Sequence, residues 1–355
     1  MSVASSVLIA VLLFSFLIFI HEFGHFIAAK LSGVQVNEFS IFMGPAIFKK
    51  QVGETLYALR LIPIGGYCAM EGEDGDSDNP RAFSAAAWWK RLIILVAGAA
   101  MNFLSGLVLL VIFFAPAEKF VVPVVSLVEP ESCVQGYLQP GDEIYKIDGE
   151  RIYAAGDMEV LLTVNPAKTH DMVIKRNGEK ISYPDVALEK REFTEKDGSK
   201  SMRYGFSFTA QDATFGGVMK QVGNSAVNTV RMVRISLKML FTGKAGLKDL
   251  GGPVMIVDQM AQVATKSGTA YQAAMSLVYF GAFIAINLAV MNLLPIPALD
   301  GGRAVCLLLT VAAEAITKKK IDPKYEGYLH AGGMILLLGL MGVIMFKDIF
   351  MIFKR

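Results

Sequence analysis

Cysteine is nearly missing: the 355-residue chain has three, Cys68, Cys133 and Cys306. They are far apart, odd in number and form no CxxC pair, so neither a disulfide framework nor a cysteine-rich zinc site is indicated. Charge is scarce too. Charged residues make up 19% of the chain and the net charge is only +2. No basic patch or stripe marks a nucleic-acid partner, so no nucleic acid is expected. Internal repeats and low-complexity tracts are also lacking. What is plentiful is hydrocarbon: 54% of residues are hydrophobic, above the ~45–50% usual for soluble proteins.

Four stretches are long and oily enough to span a bilayer, which takes ~20 apolar residues per helix. They are Val3 to Ala29, Leu92 to Ala115, Ala273 to Leu299 (interrupted late by prolines) and Ala331 to Phe346, extendable through Ile349. The first lacks a basic leader region and a small-residue cleavage site, so it is expected to be retained. Between spans two and three, residues 121–210 alternate short apolar runs with turn signals such as QPGDE, KIDGE and RNGEK, the pattern of a compact β-rich domain. Beyond it, VNTVRMVRISLKMLF places Arg231, Arg234 and Lys238 at helical spacing among apolar residues, which predicts an amphipathic helix.

The expected fold class is therefore a polytopic α-helical membrane protein of four transmembrane helices with one β-rich outer domain. The predicted divisions are a first span at 1–30, a cytoplasmic segment at 31–91, a second span at 92–116 and an outer β-rich domain at 117–210. An outer amphipathic segment follows at 211–272, then a third span at 273–303, a cytoplasmic segment at 304–329 and a fourth span at 330–350. Orientation follows the basic residues near the membrane ends. Lys30, Lys49, Lys50, Arg60, Arg81, Lys90 and Arg91 fall between spans one and two, and Arg303, Lys318, Lys319, Lys320 and Lys324 between three and four. Both segments are expected inside, with the N terminus and the β-rich domain extracytoplasmic. The terminal Lys354–Arg355 pair argues weakly the other way. The acidic stretch EGEDGDSD (71–78) reads as a solvated loop.

Polar groups at membrane depth are costly and usually functional, which makes FLIFIHEFGHFIAAK (16–30) conspicuous. His21-Glu22-Phe23-Gly24-His25 has the form HExxH. On a helix, positions i and i+4 share a face, so both imidazoles can hold one zinc ion. Glu22 beside them can take a proton from the water that such an ion activates. Without a metal, two imidazoles and a carboxylate would stand in hydrocarbon unpartnered.

A catalytic zinc site typically takes three protein ligands and leaves one position for water. The remaining histidines are His170, in the β-rich region, and His330, at the start of the fourth span. Asp300, in NLLPIPALDGGR (292–303), is the best third candidate. Pro295 and Pro297 must break or stretch the helix before it, and irregular backbone at that depth survives only inside protein or beside a wet cavity.

HEFGH in a first span followed by NLLPIPALDGGR resembles the site-2 protease family of intramembrane zinc metalloproteases, and in particular its bacterial regulator-of-sigma-E type, over nearly the whole chain. The resemblance implies that His21, His25 and Asp300 are the zinc ligands, Glu22 the general base and Asn292 a substrate-holding residue. RLIPIGGYCAM (60–70) resembles the family's membrane-re-entrant β-loop, expected at about 55–72, where Gly65, Gly66 and Tyr67 would pair with an extended substrate strand. Gly98-Ala99-Ala100-Met101-Asn102 resembles a family Gly-Pro-x-x-Asn in which Ala99 stands where proline is usual; Asn102 remains a polar contact for substrate. The β-rich domain, with GYLQPGDEIYKIDGERI, resembles a single PDZ domain where many relatives carry two in tandem. LGGPVMI (250–256) resembles a family segment with no assignable chemistry.

The activity so implied is zinc-dependent cleavage inside transmembrane segments of single-span proteins in the cell membrane, in regulated intramembrane proteolysis. The implied substrates are anti-sigma factors after a first cut, and leftover signal peptides. Two rivals belong to other classes. A non-enzymatic scaffold with a structural metal would want four protein ligands, and three good ones are available. A metal transporter would want polar residues spread through its spans, whereas the third has only Ser276, Asn287 and Asn292 before its prolines.

Overall fold

A computed structural model describes residues 3–73, 75, 77–194, 199–246, 251–252, 255–256, 258–260, 262, 268–319 and 324–353. The Lys354–Arg355 pair, Lys320, the acidic Asp74 and Asp76, and Leu250, Pro253 and Val254 of the LGGPVMI stretch lie outside the described residues. The chain divides into two compact units, 1–110 with 229–355, and 111–228.

The first unit holds the long apolar helices. They are α1 (Val3–Ser32), α2 (Trp88–Phe114), α5 (Ala270–Asn292) and α7 (Lys324–Phe353). Among the described residues, four segments, Val11–Ser32, Trp88–Phe114, Ala270–Asn292 and Tyr325–Phe350, are long and apolar enough to cross a membrane. The prolines act as expected on the third. Its helix stops at Asn292, residues 293–299 form an irregular turn, and Asp300 opens a separate helix, α6 (Asp300–Thr317). No pattern in residues 300–317 singled out α6 as an element of its own.

Between α1 and α2 the chain makes a long hairpin, β1 (Val36–Val52) and β2 (Thr55–Met70), turning at Gly53 with φ +61°. Only the β2 half was anticipated. The two strands pair antiparallel and bend so far that residues 38–41 have neighbours on both sides. Ser40 faces Tyr67 on one and Ala58 on the other. Aromatic rings fix this sheet to α1. Phe19, Phe23 and Phe26 follow one another along the helix, and Phe39 and Tyr57 pack on Phe26 with centroids 4.9 and 6.0 Å away. Such pairs contribute about 0.5–1.5 kcal/mol each beyond area burial. Ala28, Ala29, Val36, Phe39, Cys68, Ile94, Leu95 and Leu307 close the core where helices α1, α2 and α6 meet the hairpin.

The second unit is the β-rich region. Its main sheet runs β10 (Phe206–Asp212), β3 (Lys119–Val128), β4 (Glu143–Ile147), β6 (His170–Arg176) and β7 (Glu179–Val186), with β5 (Glu150–Arg151) on β4. Strands β8 (Arg191–Thr194) and β9 (Lys200–Arg203) form a separate hairpin, and α3 (Ala155–Val164) completes the unit. Val125, Ile144, Ile147, Ile152, Met172 and Ile174 form its core. Gly141, φ +96°, supplies the tight turn before EIYKI, and the buried Asp142 takes both arms of the Arg176 guanidinium at 2.8 Å. The predicted amphipathic helix is α4 (Phe215–Phe241); Arg234 and Lys238 are exposed on it, but Arg231 is buried.

Candidate metal centre

Helix α1 carries the first two groups. His21 and His25 lie one turn apart with ring centroids 4.8 Å apart, nearly perpendicular, and their Nε2 atoms are 3.2 Å apart. Each ring is held from behind. His25 Nδ1 lies 2.8 Å from the Ile94 carbonyl oxygen on α2, to which an Nδ1–H donates, leaving the Nε2 lone pair turned toward His21. His21 Nδ1 has the Asn102 amide at 3.3 Å and the Asn292 amide at 3.5 Å, both through Nδ2. The Asn102 Oδ1 atom is buried without a partner. A half-turn of that amide lets Oδ1 accept the His21 Nδ1–H and frees Nε2 as a ligand.

Asp300 closes the group from the far end of the chain. Its Oδ2 lies 3.0 Å from His21 Nε2 and 3.4 Å from His25 Nε2. This oxygen is buried, yet no neighbour gives it a hydrogen bond. Orphaned polar atoms in native interiors call for an explanation such as an ion. Atoms ~2.0–2.1 Å from one tetrahedral zinc stand roughly 3.3–3.4 Å from each other, and the three spacings here are 3.0, 3.2 and 3.4 Å. Two imidazoles and a carboxylate are also the donor types that zinc takes. The residues fit the ion. Among the described residues, His21, His25 and Asp300 are the one such cluster of potential ligands.

The approach of these elements depends on residues without side chains. At Gly98 on α2, a Cβ would stand 2.3 Å from His25 Nε2 and 2.7 Å from His21 Cε1. At Gly302 on α6 it would stand 2.2 Å from the Ile296 carbonyl oxygen, so the turn that delivers Asp300 lies flat on α6. Sequence reasoning singled out the segment holding Gly98 for Ala99 and Asn102 and missed the glycine itself; nothing local records which side chains press on it.

Glu22 stands on α1 next to the β2 strand, its Cγ 3.7 Å from where a Gly66 Cβ would be. Gly65 takes φ +80°, and Gly66 pairs with Ile41. Tyr67 follows on the same strand. Its hydroxyl meets Arg60 Nη2 at 2.7 Å, and Arg60 also reaches Glu38, Ser40 and the Gly44 carbonyl, tying the hairpin together. Asn292 is the last residue of α5, beside His21. Asn102 is buried beneath His21, with 1% of its surface exposed. His330 is not in the cluster; it lies behind the 293–299 turn, and His170 pairs with Asp148 in the β-rich unit at 2.7 Å.

Apolar spans with a His-His-Asp cluster and a glutamate next to its first histidine have the layout of a membrane metalloprotease. The family model described as peptidase family M50 matches residues 9–340. A Clostridium perfringens protein named "Putative zinc metalloprotease" is 37% identical over 345 residues, covering 97% of this chain and 98% of its own. "Regulator of sigma-W protease RasP" of Bacillus subtilis is 29% identical, covering 97% and 98%, and "Zinc metalloprotease RasP" of Geobacillus kaustophilus 28%, covering 97% of each. The chain belongs to peptidase family M50, the site-2 proteases. It is a zinc metalloprotease and a multi-pass membrane protein.

Proposed function

We propose that this protein hydrolyses peptide bonds within transmembrane segments of other membrane proteins, with His21, His25 and Asp300 holding the zinc and Glu22 as the general base. The observation that carries the reading is the convergence of three donor atoms, 3.0 to 3.4 Å apart, from residues 275 or more positions distant in sequence in the case of Asp300. When bound, zinc supplies a Lewis acid that polarises the scissile carbonyl and lowers the pKa of a bound water toward about 7. Glu22 takes a proton from the attacking water and returns it to the amine nitrogen as the C–N bond breaks. The Ile94 carbonyl keeps the His25 proton on Nδ1, and Asn102 does the same for His21. That position suits Asn102 to orienting a ligand better than to touching substrate.

A helical substrate hides its peptide bonds in i→i−4 hydrogen bonds and must be unwound before it can be cut. Strand β2 at Gly65, Gly66 and Tyr67 runs past Glu22 and offers an edge on which an extended segment can add as a strand, with Asn292 bordering the same space. The re-entrant reading of this hairpin is supported by its outer half. Ile47, Phe48, Leu61 and Ile62 are exposed there, an apolar surface suited to lipid. Trp88 and Trp89, exposed beside Lys90 and Arg91 at the start of α2, suit a cytoplasmic membrane interface. With the basic residues near the membrane ends, they fit segments 31–91 and 304–329 inside and the N terminus and residues 117–210 outside. Residues 117–210 are read as a single PDZ domain that admits or recruits substrate. The substrate class is a single-span protein already trimmed outside the membrane, such as an anti-sigma factor or a signal-peptide remnant.

Glu22→Gln separates this reading from a scaffold or transporter. The variant keeps the ligands and should retain zinc while losing cleavage of a tagged single-span substrate. Retained cleavage contradicts the assignment.

A further inference from the structure

The turn that presents Asp300 is held in a conformation its residues do not favour. Ala298, two positions before the ligand, has φ +78°, a region that residues with a Cβ enter only when their surroundings impose it. The chain also passes through Pro295 and Pro297, which donate no backbone hydrogen bond. Something must therefore fix this turn from outside.

The fixing group comes from α7. The Ala298 N–H donates to His330 Nδ1 at 3.0 Å, and His330 is buried, 8% exposed. One turn further along α7, a Cβ on Gly333 would lie 2.4 Å from Pro297 Cβ and 2.8 Å from the Pro297 carbonyl oxygen. The helix therefore rests directly on Pro297 and Ala298. From the opposite side Gly302 meets the Ile296 carbonyl, so the turn is clasped between α6 and α7. Because Nδ1 accepts, the ring hydrogen is on Nε2. That atom is buried with no hydrogen-bond partner among the described residues, and Glu326 Oε1 stands 3.8 Å away. The imidazole thus makes one directed bond, and it goes to the turn.

We propose that His330 is a positioning residue of the metal centre: as acceptor for Ala298 it locks the left-handed turn and so sets where the Asp300 carboxylate stands. The proposal rests on Asp300 being a zinc ligand. It gives a role to the histidine that is not a ligand, and it explains why an alanine can occupy a left-handed position here. Groups that orient a ligand without touching the metal typically change metal affinity or activity about 10- to 100-fold when lost.

The test compares His330→Leu with His330→Asn in the full-length, detergent-solubilised protein. The two replacements have nearly the same size and branching, but Asn keeps an acceptor close to the place of Nδ1. Zinc affinity is read by competition with a chromophoric chelator, and cleavage of a single-span substrate at saturating zinc gives kcat and KM separately. His330→Leu should weaken zinc binding about 10- to 100-fold and lower kcat more than it raises KM, while His330→Asn stays much closer to wild type. Ala298→Gly placed in the Leu background should recover part of the affinity, because glycine holds φ +78° unaided. Equal zinc affinity in the Leu variant and wild type, or equal losses in Leu and Asn with no recovery by glycine, overturns the proposal. Asp300→Asn is measured alongside. Wild-type affinity there would overturn the ligand assignment itself, whereas its loss beside an unaffected His330→Leu would refute the role of His330 alone.

Discussion

Individual residues decide this site by what they leave empty as much as by what they supply. Gly98 is the sharpest case: any side chain there meets both imidazoles within 2.8 Å, closer than carbon and nitrogen pack without displacement. Gly98→Ala is expected to push the rings apart and weaken zinc binding at least about tenfold, in the range lost with other ligand-orienting groups; Gly98→Val should do more. Metal content after dialysis against a graded chelator series checks this, with wild-type retention in the Ala variant as the contrary result. HEFGH was legible in the sequence because the i,i+4 spacing is local and its polarity conflicts with its oily flanks. Asp300 was legible through the prolines and glycines around it. Gly98, the Ile94 carbonyl and His330 were not, because each acts on a group 32 to 77 positions away, and no local pattern encodes that contact.

Whole elements show the same division between local and distant information. The apolar helices could be read from length alone, and the break after Asn292 from Pro295 and Pro297. Strand β1 could not. Its alternation is interrupted at Gly44-Pro45, and its stability comes from pairing with β2 and packing on α1 rather than from propensity. Helix α6 was hidden in a segment read only as basic and cytoplasmic, and Arg231, grouped with Arg234 and Lys238 as a basic residue of the amphipathic helix, is buried. The turn of the β hairpin offers a measurable consequence. Glu54 there meets Arg81 and Lys30, each at 2.7 Å. Hydrogen bonds from Arg81 and then Lys30 lower its pKa to about 2 from an ordinary 4.5. A carboxylate with a depressed folded-state pKa stabilises its surroundings above the unfolded value and loses that contribution as pH falls. The hairpin turn should therefore loosen between pH ~4.5 and ~2, by a small amount because these groups face solvent and are screened. Amide protection at residues 50–57, corrected for the intrinsic pH dependence of exchange, should fall over that interval in wild type and show no such step in Glu54→Gln. A step of equal size in both would contradict the role of Glu54.

For the whole molecule, the proposed orientation sets residues 117–210 and the two basic segments on opposite sides of the membrane. In that proposal the basic segments 31–91 and 304–329 lie inside and residues 117–210 outside. In a background with Cys68, Cys133 and Cys306 replaced, a cysteine at Lys180 should react with a membrane-impermeant maleimide in intact cells. One at Lys318 should react only after the membrane is opened. The reverse pattern would invert the topology, and the supply of substrates with it.

All of this depends on one ion held by two imidazoles and a carboxylate. Zinc-edge X-ray absorption on purified wild-type protein measures that environment directly. The expected result is about one zinc per chain with nitrogen and oxygen neighbours at about 2.0–2.2 Å, including the outer-ring scattering of two imidazoles, and a disturbed shell in Asp300→Ala. Sulfur neighbours near 2.3 Å, or an unchanged shell when Asp300 is removed, would contradict it.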